Sequence, residues 1–223
     1  MSRSPSASAS GGKQKQIIVV AGEGDYDREV LKHLLQGLLP GSCPEVVAIK
    51  SDKAGLSQAD KTLAPRVDTW LRLAKGMAVG KRARLAGFVI HVDFDAVADE
   101  AFTRVRERIS AELKRAFAPS CPSAVALAAS ATEGWLMLFP EAFPSCHATW
   151  RLPESESHRD IGQIPNAKVH LKRLLKQPEY HEKHAPKIMR AAAEQGLVTK
   201  PSTRKNRSFS DFTSELATWP KFR

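Results

Sequence analysis

The sequence predicts an α/β fold: a mostly parallel four-stranded sheet flanked by helices, with a helical C-terminal appendage. Three observations lead there. Four short runs, residues 15–21, 45–50, 85–92 and 123–129, have the length and the Val, Ile and Ala content of buried strands. Each is followed by a stretch whose apolar residues recur at helical spacing, and this alternation gives parallel strands joined by crossover helices. Two of the runs end in acidic clusters, Glu23-Gly24-Asp25-Tyr26-Asp27 and Asp93-Phe94-Asp95. Strand ends of this kind line the ligand-binding edge of an open α/β sheet.

The elements follow in order. Residues 1–14 begin Ser-, Ala- and Gly-rich and have no apolar segment, so they read as a disordered tail and not as a signal peptide. Ile17-Ile18-Val19-Val20 form the heart of the first strand. Asp27 is placed to cap the next helix, whose apolar face is Val30, Leu31, Leu34, Leu35 and Leu38, ending near Pro40-Gly41. After the second strand comes a polar loop, 51–59, carrying Asp52, Lys53 and Gly55. Leu63, Val67, Trp70, Leu71, Ala74 and Met77 then mark a second helix.

Leu85 to Val92 is the clearest central strand. Phe102, Val105, Ile109, Leu113 and Phe117 stripe a helix over 98–118, and Pro119 and Pro122 bracket the turn into the fourth strand. Thr132 can cap a short helix over 133–138. These elements make an α/β domain over 15–140. Beyond it, 141–223 is a basic extension with helices expected at 167–176, 182–195 and 211–218, packed on the sheet domain.

The chain of 223 residues is long enough for one substantial core, and its net charge is +10. From Arg151 onward there are 15 Lys and Arg against 8 Asp and Glu, so +7 of that charge lies in the last third. Such a surface favours polyanions, nucleic acid first, although many basic proteins bind none. Cys43, Cys121 and Cys146 are widely spaced, with no CxxC pair, which argues against a disulfide framework or a cysteine zinc site and fits a cytoplasmic chain. No apolar run reaches the roughly 18 residues of a membrane helix.

Glu23 lies between Gly22 and Gly24, which let the backbone turn sharply beside a ligand. It is a candidate to bind metal or to exchange a proton with a leaving alcohol; a helix-start turn with acids favouring the dipole is the plainer alternative. The third glycine of a dinucleotide fingerprint is missing and there is no Walker A sequence. Asp93 and Asp95, two apart on an extended backbone, would point the same way and share one or two hard cations, Mg²⁺ or Mn²⁺. The alternative is a strand-end Asx turn. Asp27 and Glu133 are supporting candidates. His158, His170, His181 and His184 lack convincing zinc spacing and read as surface or phosphate-contacting residues.

These motifs carry a resemblance. Glu23-Gly24 after the first strand, Val92-Asp93-Phe94-Asp95 after a central one, Glu133-Gly134-Trp135-Leu136, Asn166-Ala167-Lys168-Val169-His170-Leu171 and Ser208-Phe209-Ser210-Asp211-Phe212 occur in the order of a Toprim-related family of uncharacterised bacterial and phage-associated proteins. That family is related to the Toprim domains of OLD-type nucleases. The resemblance spans residues 15–219. Tyr26-Asp27 stands where the family has Thr-Glu, and Ala167 where it has proline.

The resemblance implies a Toprim-like fold and a metal site at Glu23, Asp93 and Asp95. The function expected is a Mg²⁺-dependent nuclease or related phosphotransfer enzyme on DNA or RNA, with a role in phage defence. Lys168, Lys172 and Arg173 would contact phosphates. The rival is a non-catalytic Toprim-like module that binds nucleic acid or a protein partner; a homo-oligomer is compatible with either.

Overall fold

The computed structural model describes residues 14–39, 43–50 and 63–222. Residues 1–13 of the expected tail, the Pro40-Gly41 stop and the loop over 51–59 fall outside the described residues. The strands are β1 (Gln16–Ala21), β2 (Glu45–Ala48), β3 (Arg84–Asp93) and β4 (Ser123–Ala128). All pairings are parallel, in the order β2-β1-β3-β4. The chain order reverses between β1 and β3, which opens a crevice at their carboxyl ends.

Alternation along each strand divides the core. Ile17, Val19, Phe88, Ile90, Val125 and Leu127 face α2 (Leu63–Gly80) and α3 (Glu100–Phe117). Ile18, Val20, Val89, Ala124 and Ala126 face the other way, toward α1 (Asp25–Leu38) and the C-terminal third. That second face explains why β4 is so rich in alanine. It is covered by α4 (Glu133–Leu136), α5 (Phe143–Cys146), α6 (Ala167–Leu174), α7 (Ala185–Glu194) and α8 (Arg207–Ala217), whose aromatic side chains fill the volume the alanines leave.

The appendage is therefore the second half of the core. A Cβ on Gly37 of α1 would lie 2.6 Å from Val198 Cγ2 and 2.9 Å from Ala193 Cβ, so α1 and the end of α7 meet backbone to backbone. α8 lies along the open edge of β4. Ser208 Oγ accepts from Ala129 N at 3.2 Å and Glu215 Oε2 from Val125 N at 3.4 Å. These side chains stand in for a fifth strand and cover an edge that would otherwise invite pairing.

Local chemistry corrects several expected boundaries. Asp27 does not cap α1: Gly24 is the N-cap and Asp27 lies inside the first turn. Thr132 makes no cap hydrogen bond to α4. α6 stops at Leu174. The span 182–195 divides into a 3-10 turn, Glu182–His184, and α7, with a proline opening the second piece. α8 starts four residues before the expected Asp211, because Asn206 Oδ1 accepts from Phe209 N at 3.1 Å and caps it there. Among the described residues no helix is long and apolar enough to cross a membrane.

Candidate functional site

Asp93 is the last residue of β3, half-buried at the crevice. Its pKa is raised to about 6, first by burial, then by the carboxylates of Asp27, Glu133 and Glu23, with the His91 ring working in the opposite direction. Asp27 and Glu23 come from the turn after β1 and the start of α1, and Glu133 from the start of α4, so two segments far apart in sequence converge on the carboxylate that ends β3. Among the described residues Asp93 Oδ1 is buried without a hydrogen-bond partner, although His91 Nε2 lies 3.5 Å away. An orphaned acceptor among like charges is costly to a fold.

The turn that delivers Glu23 is tied down by Arg28. This buried guanidinium donates to Gly22 O at 2.7 Å and pairs with Asp25. Side chains crowd both Gly22 and Gly24. A Cβ on Gly22 would meet His91 Cβ at 3.2 Å, and one on Gly24 would lie 2.6 Å from Asp27 Oδ2. Glu23 itself is exposed at the mouth of the crevice.

Thr132 closes the site from below. Its hydroxyl donates to Asp27 Oδ1 at 2.9 Å and meets His91 Nε2 at 2.9 Å. Glu133 is buried and receives the Tyr180 hydroxyl at 3.1 Å. Burial raises the Glu133 pKa, while a hydrogen bond from its own backbone, Lys168 and Tyr180 hold it down. Burial and then Glu133 push the Tyr180 phenol well above its usual range, so Tyr180 is a fixed donor. α4 is held in turn by Trp135, whose Nε1 donates to Ser208 Oγ at 2.8 Å and whose ring stacks on Phe212 with centroids 5.4 Å apart. The Ser208-Phe209-Ser210-Asp211-Phe212 motif is thus a brace for the helix that presents Glu133.

The sequence candidates divide. Glu23, Asp27, Asp93 and Glu133 come together. Asp95 stands apart: the strand ends at Asp93, Asp95 takes a left-handed φ of 57°, and its side chain is exposed. Period-2 alternation needs extended backbone through both residues, so it does not carry from Asp93 to Asp95. Lys168 belongs to the acidic site. It pairs with Glu182 at 3.1 Å, and although burial opposes its charge, Glu182, Glu133 and Asp93 outweigh that and raise its pKa.

Lys172 and Arg173 lie farther along α6, and Arg173 donates to His170 Nδ1 at 3.0 Å. His170 departs from the surface reading. It is buried, with Nε2 3.1 Å from Glu156 Oε2. His158 and His181 are exposed; His184 is half-buried beside Trp150 and accepts from His181 N at 3.0 Å.

Sequence reasoning missed His91, Tyr180 and Arg28, and took Thr132 for a cap. His91 had a signal, being the one polar residue inside the most apolar strand. Tyr180 had none, because it reaches Glu133 from 47 residues away.

The donor set suits a hard dication. All the convergent acids offer oxygen, and Asp93 Oδ1 has a lone pair to give. Among the described residues no three His, Cys, Asp or Glu side chains close on one point as they stand; Asp27 and Glu133 are held by Thr132 and Tyr180, so holding an ion requires exposed Glu23 to turn inward. The chain matches no family model, and neither the curated proteins nor the solved structures include a significant match to it.

Proposed function

We propose that this chain is a Mg²⁺- or Mn²⁺-dependent phosphoesterase acting on nucleic acid, a nuclease or a related phosphotransfer enzyme. The observation that carries the reading is Asp93: a half-buried carboxylate with an orphaned oxygen and a pKa near 6, surrounded by Asp27, Glu133 and Glu23. Such a cluster is stabilised when a cation arrives, and active sites are where perturbed carboxylates of this kind concentrate. The resemblance to Toprim-related proteins and the net charge of +10 point toward a phosphate polyanion as substrate.

Asp93 would hold the metal with Asp27, Glu133 and Glu23, without Asp95. A bound dication supplies charge to a phosphate oxygen and to the attacking and leaving oxygens. The protein's own groups do the rest. Exposed Glu23 exchanges a proton with the entering water or the departing alcohol. Thr132 and His91 fix Asp27. Tyr180 fixes Glu133. Lys168 places a positive charge beside the carboxylates, where a phosphate would sit.

Lys168 also favours the rival reading, a module without catalysis. It neutralises part of the cluster from within, leaving less negative charge for a metal to offset. Calorimetry with Mn²⁺, run beside a cleavage assay on single- and double-stranded DNA and RNA, separates the two. The enzyme reading expects Mn²⁺ binding that Asp93→Asn abolishes together with cleavage. Equal Mn²⁺ heats in wild type and Asp93→Asn, or nucleic-acid binding with no cleavage at any metal concentration, would favour the module.

A further inference from the structure

Arg204 is 8 % exposed, and its Nε has no hydrogen-bond partner among the described residues. Among the described residues it makes no ion pair. A buried guanidinium nitrogen is normally hydrogen-bonded, because a polar group taken out of water without a partner is costly to the fold. Arg204 lines a cavity of about 580 Å³ bounded by the end of α1, residues 138–139, residues 198–202 and α8.

The walls are apolar: Leu38, Leu39, Phe139, Val198, Phe209 and Leu216. Lys200 and Ser202 line the same space, and among the described residues no Asp or Glu does. Asn206 also lines it, 3 % exposed, with an unpartnered Nδ2 that lies close over Gly134. The acids that Arg204 feels are Glu141 and Glu156, both outside the cavity lining, and Glu156 is already engaged by His170 and Arg159.

We propose that this cavity binds a small organic anion, with a phosphate or carboxylate head on Arg204 and an apolar body against Phe139, Phe209 and Leu216. The volume suits a small molecule, and apolar walls with a few placed donors are the usual make-up of such a site. Arginine is the side chain best shaped for two-point contact with a phosphate or carboxylate, and Lys200 adds charge at the mouth. The site is distinct from the acidic crevice, and its existence does not depend on the nuclease reading.

The test is calorimetry and thermal shift on the full chain with phenyl phosphate, benzoate, inorganic phosphate and benzyl alcohol. Sub-millimolar binding of phenyl phosphate or benzoate is expected, with inorganic phosphate and benzyl alcohol each at least about tenfold weaker. Which aromatic anion wins identifies the head group. Arg204→Met should cut that affinity about tenfold or more. Thr213→Trp fills the cavity from α8 without touching Arg204; it should block binding as well, and it carries the test if Arg204→Met does not fold. No aromatic anion binding below about 10 mM, equal affinity in both variants, or inorganic phosphate binding as tightly as phenyl phosphate would each overturn the proposal.

Discussion

The Thr132 hydroxyl donates to Asp27 Oδ1 at 2.9 Å, joining residues 105 apart in sequence. That hydroxyl has one proton and gives it to the carboxylate, so the His91 Nε2 at 2.9 Å is the protonated nitrogen and donates to the Thr132 oxygen. Nδ1 is the ring nitrogen left without a partner among the described residues. The chain Asp27–Thr132–His91 locks the turn after β1 to β3 and to the entry of α4.

Replacing Thr132 by valine keeps its shape and removes the link. Asp27 and His91 each lose a partner in a largely buried place, so Thr132→Val should cost roughly 1–3 kcal/mol. The urea midpoint should fall with the slope of the transition unchanged, and Mn²⁺ affinity should weaken because Asp27 is no longer fixed. Thr132→Ser should recover most of both. A midpoint in Thr132→Val equal to wild type would remove the hydroxyl from the account.

Asp93 makes stability depend on pH with a defined sign. Its folded pKa, about 6, lies above the roughly 3.9 of an unfolded aspartate, so the folded chain holds the extra proton between those values. Its contribution therefore falls as pH rises from about 4 to 6 and is unfavourable at pH 7, on the order of 2–3 kcal/mol at most. Asp93→Asn should be more stable than wild type at pH 7 without metal, and the gap should close toward pH 4. Urea titrations of both proteins across that range read it directly. A constant gap would mean that burial of Asp93 is not what the mutation relieves.

Much of the fold was legible because it rests on local periodicity. The buried runs around Ile18, Val89 and Val125 and the helical stripe from Phe102 to Phe117 place the sheet and its helices. Half of the site was legible for the same reason, since Glu23 and Asp93 sit where β1 and β3 end. What could not be read depends on contacts between distant segments. Tyr180 reaches Glu133, and Lys168 joins the acidic cluster, only because α6 packs beside α4. Asp95 misled because strand alternation was extended two residues past the end of the strand.

Ser208 is the hinge pin of the brace behind Glu133. Its Oγ accepts from Trp135 Nε1 at 2.8 Å and from Ala129 N at 3.2 Å while donating to Asn206 Oδ1 at 2.7 Å. Ser208→Ala strands two buried donors at roughly 1–3 kcal/mol each, so a loss of about 2–6 kcal/mol is expected. Trp135 fluorescence should shift in the folded state, because the indole N–H loses its acceptor while the Phe212 stack remains. An unchanged midpoint would show that a water replaces the hydroxyl and that α4 does not depend on it.

The basic face of α6 is the remaining link to a nucleic-acid partner, and its residues are not equivalent. Lys168 is held by Glu182 and belongs to the acidic crevice. Arg173 is bonded to His170 Nδ1, and His170 to Glu156, so Arg173→Ala would confuse lost phosphate contact with lost support for a buried histidine. Lys172 is the cleaner probe: it is half-buried in the last turn of α6, where no such chain of partners runs through it. If Lys172 contacts a phosphate, Lys172→Ala should weaken nucleic-acid binding at low salt irrespective of sequence. It should also flatten the plot of log affinity against log salt by about 0.7–0.9. Urea stability and Mn²⁺ binding should stay at wild-type values, since neither the core nor the crevice uses this side chain. A salt slope identical to wild type in a filter-binding titration would take α6 out of the interface and leave the charge of the last third as an ordinary solvated surface.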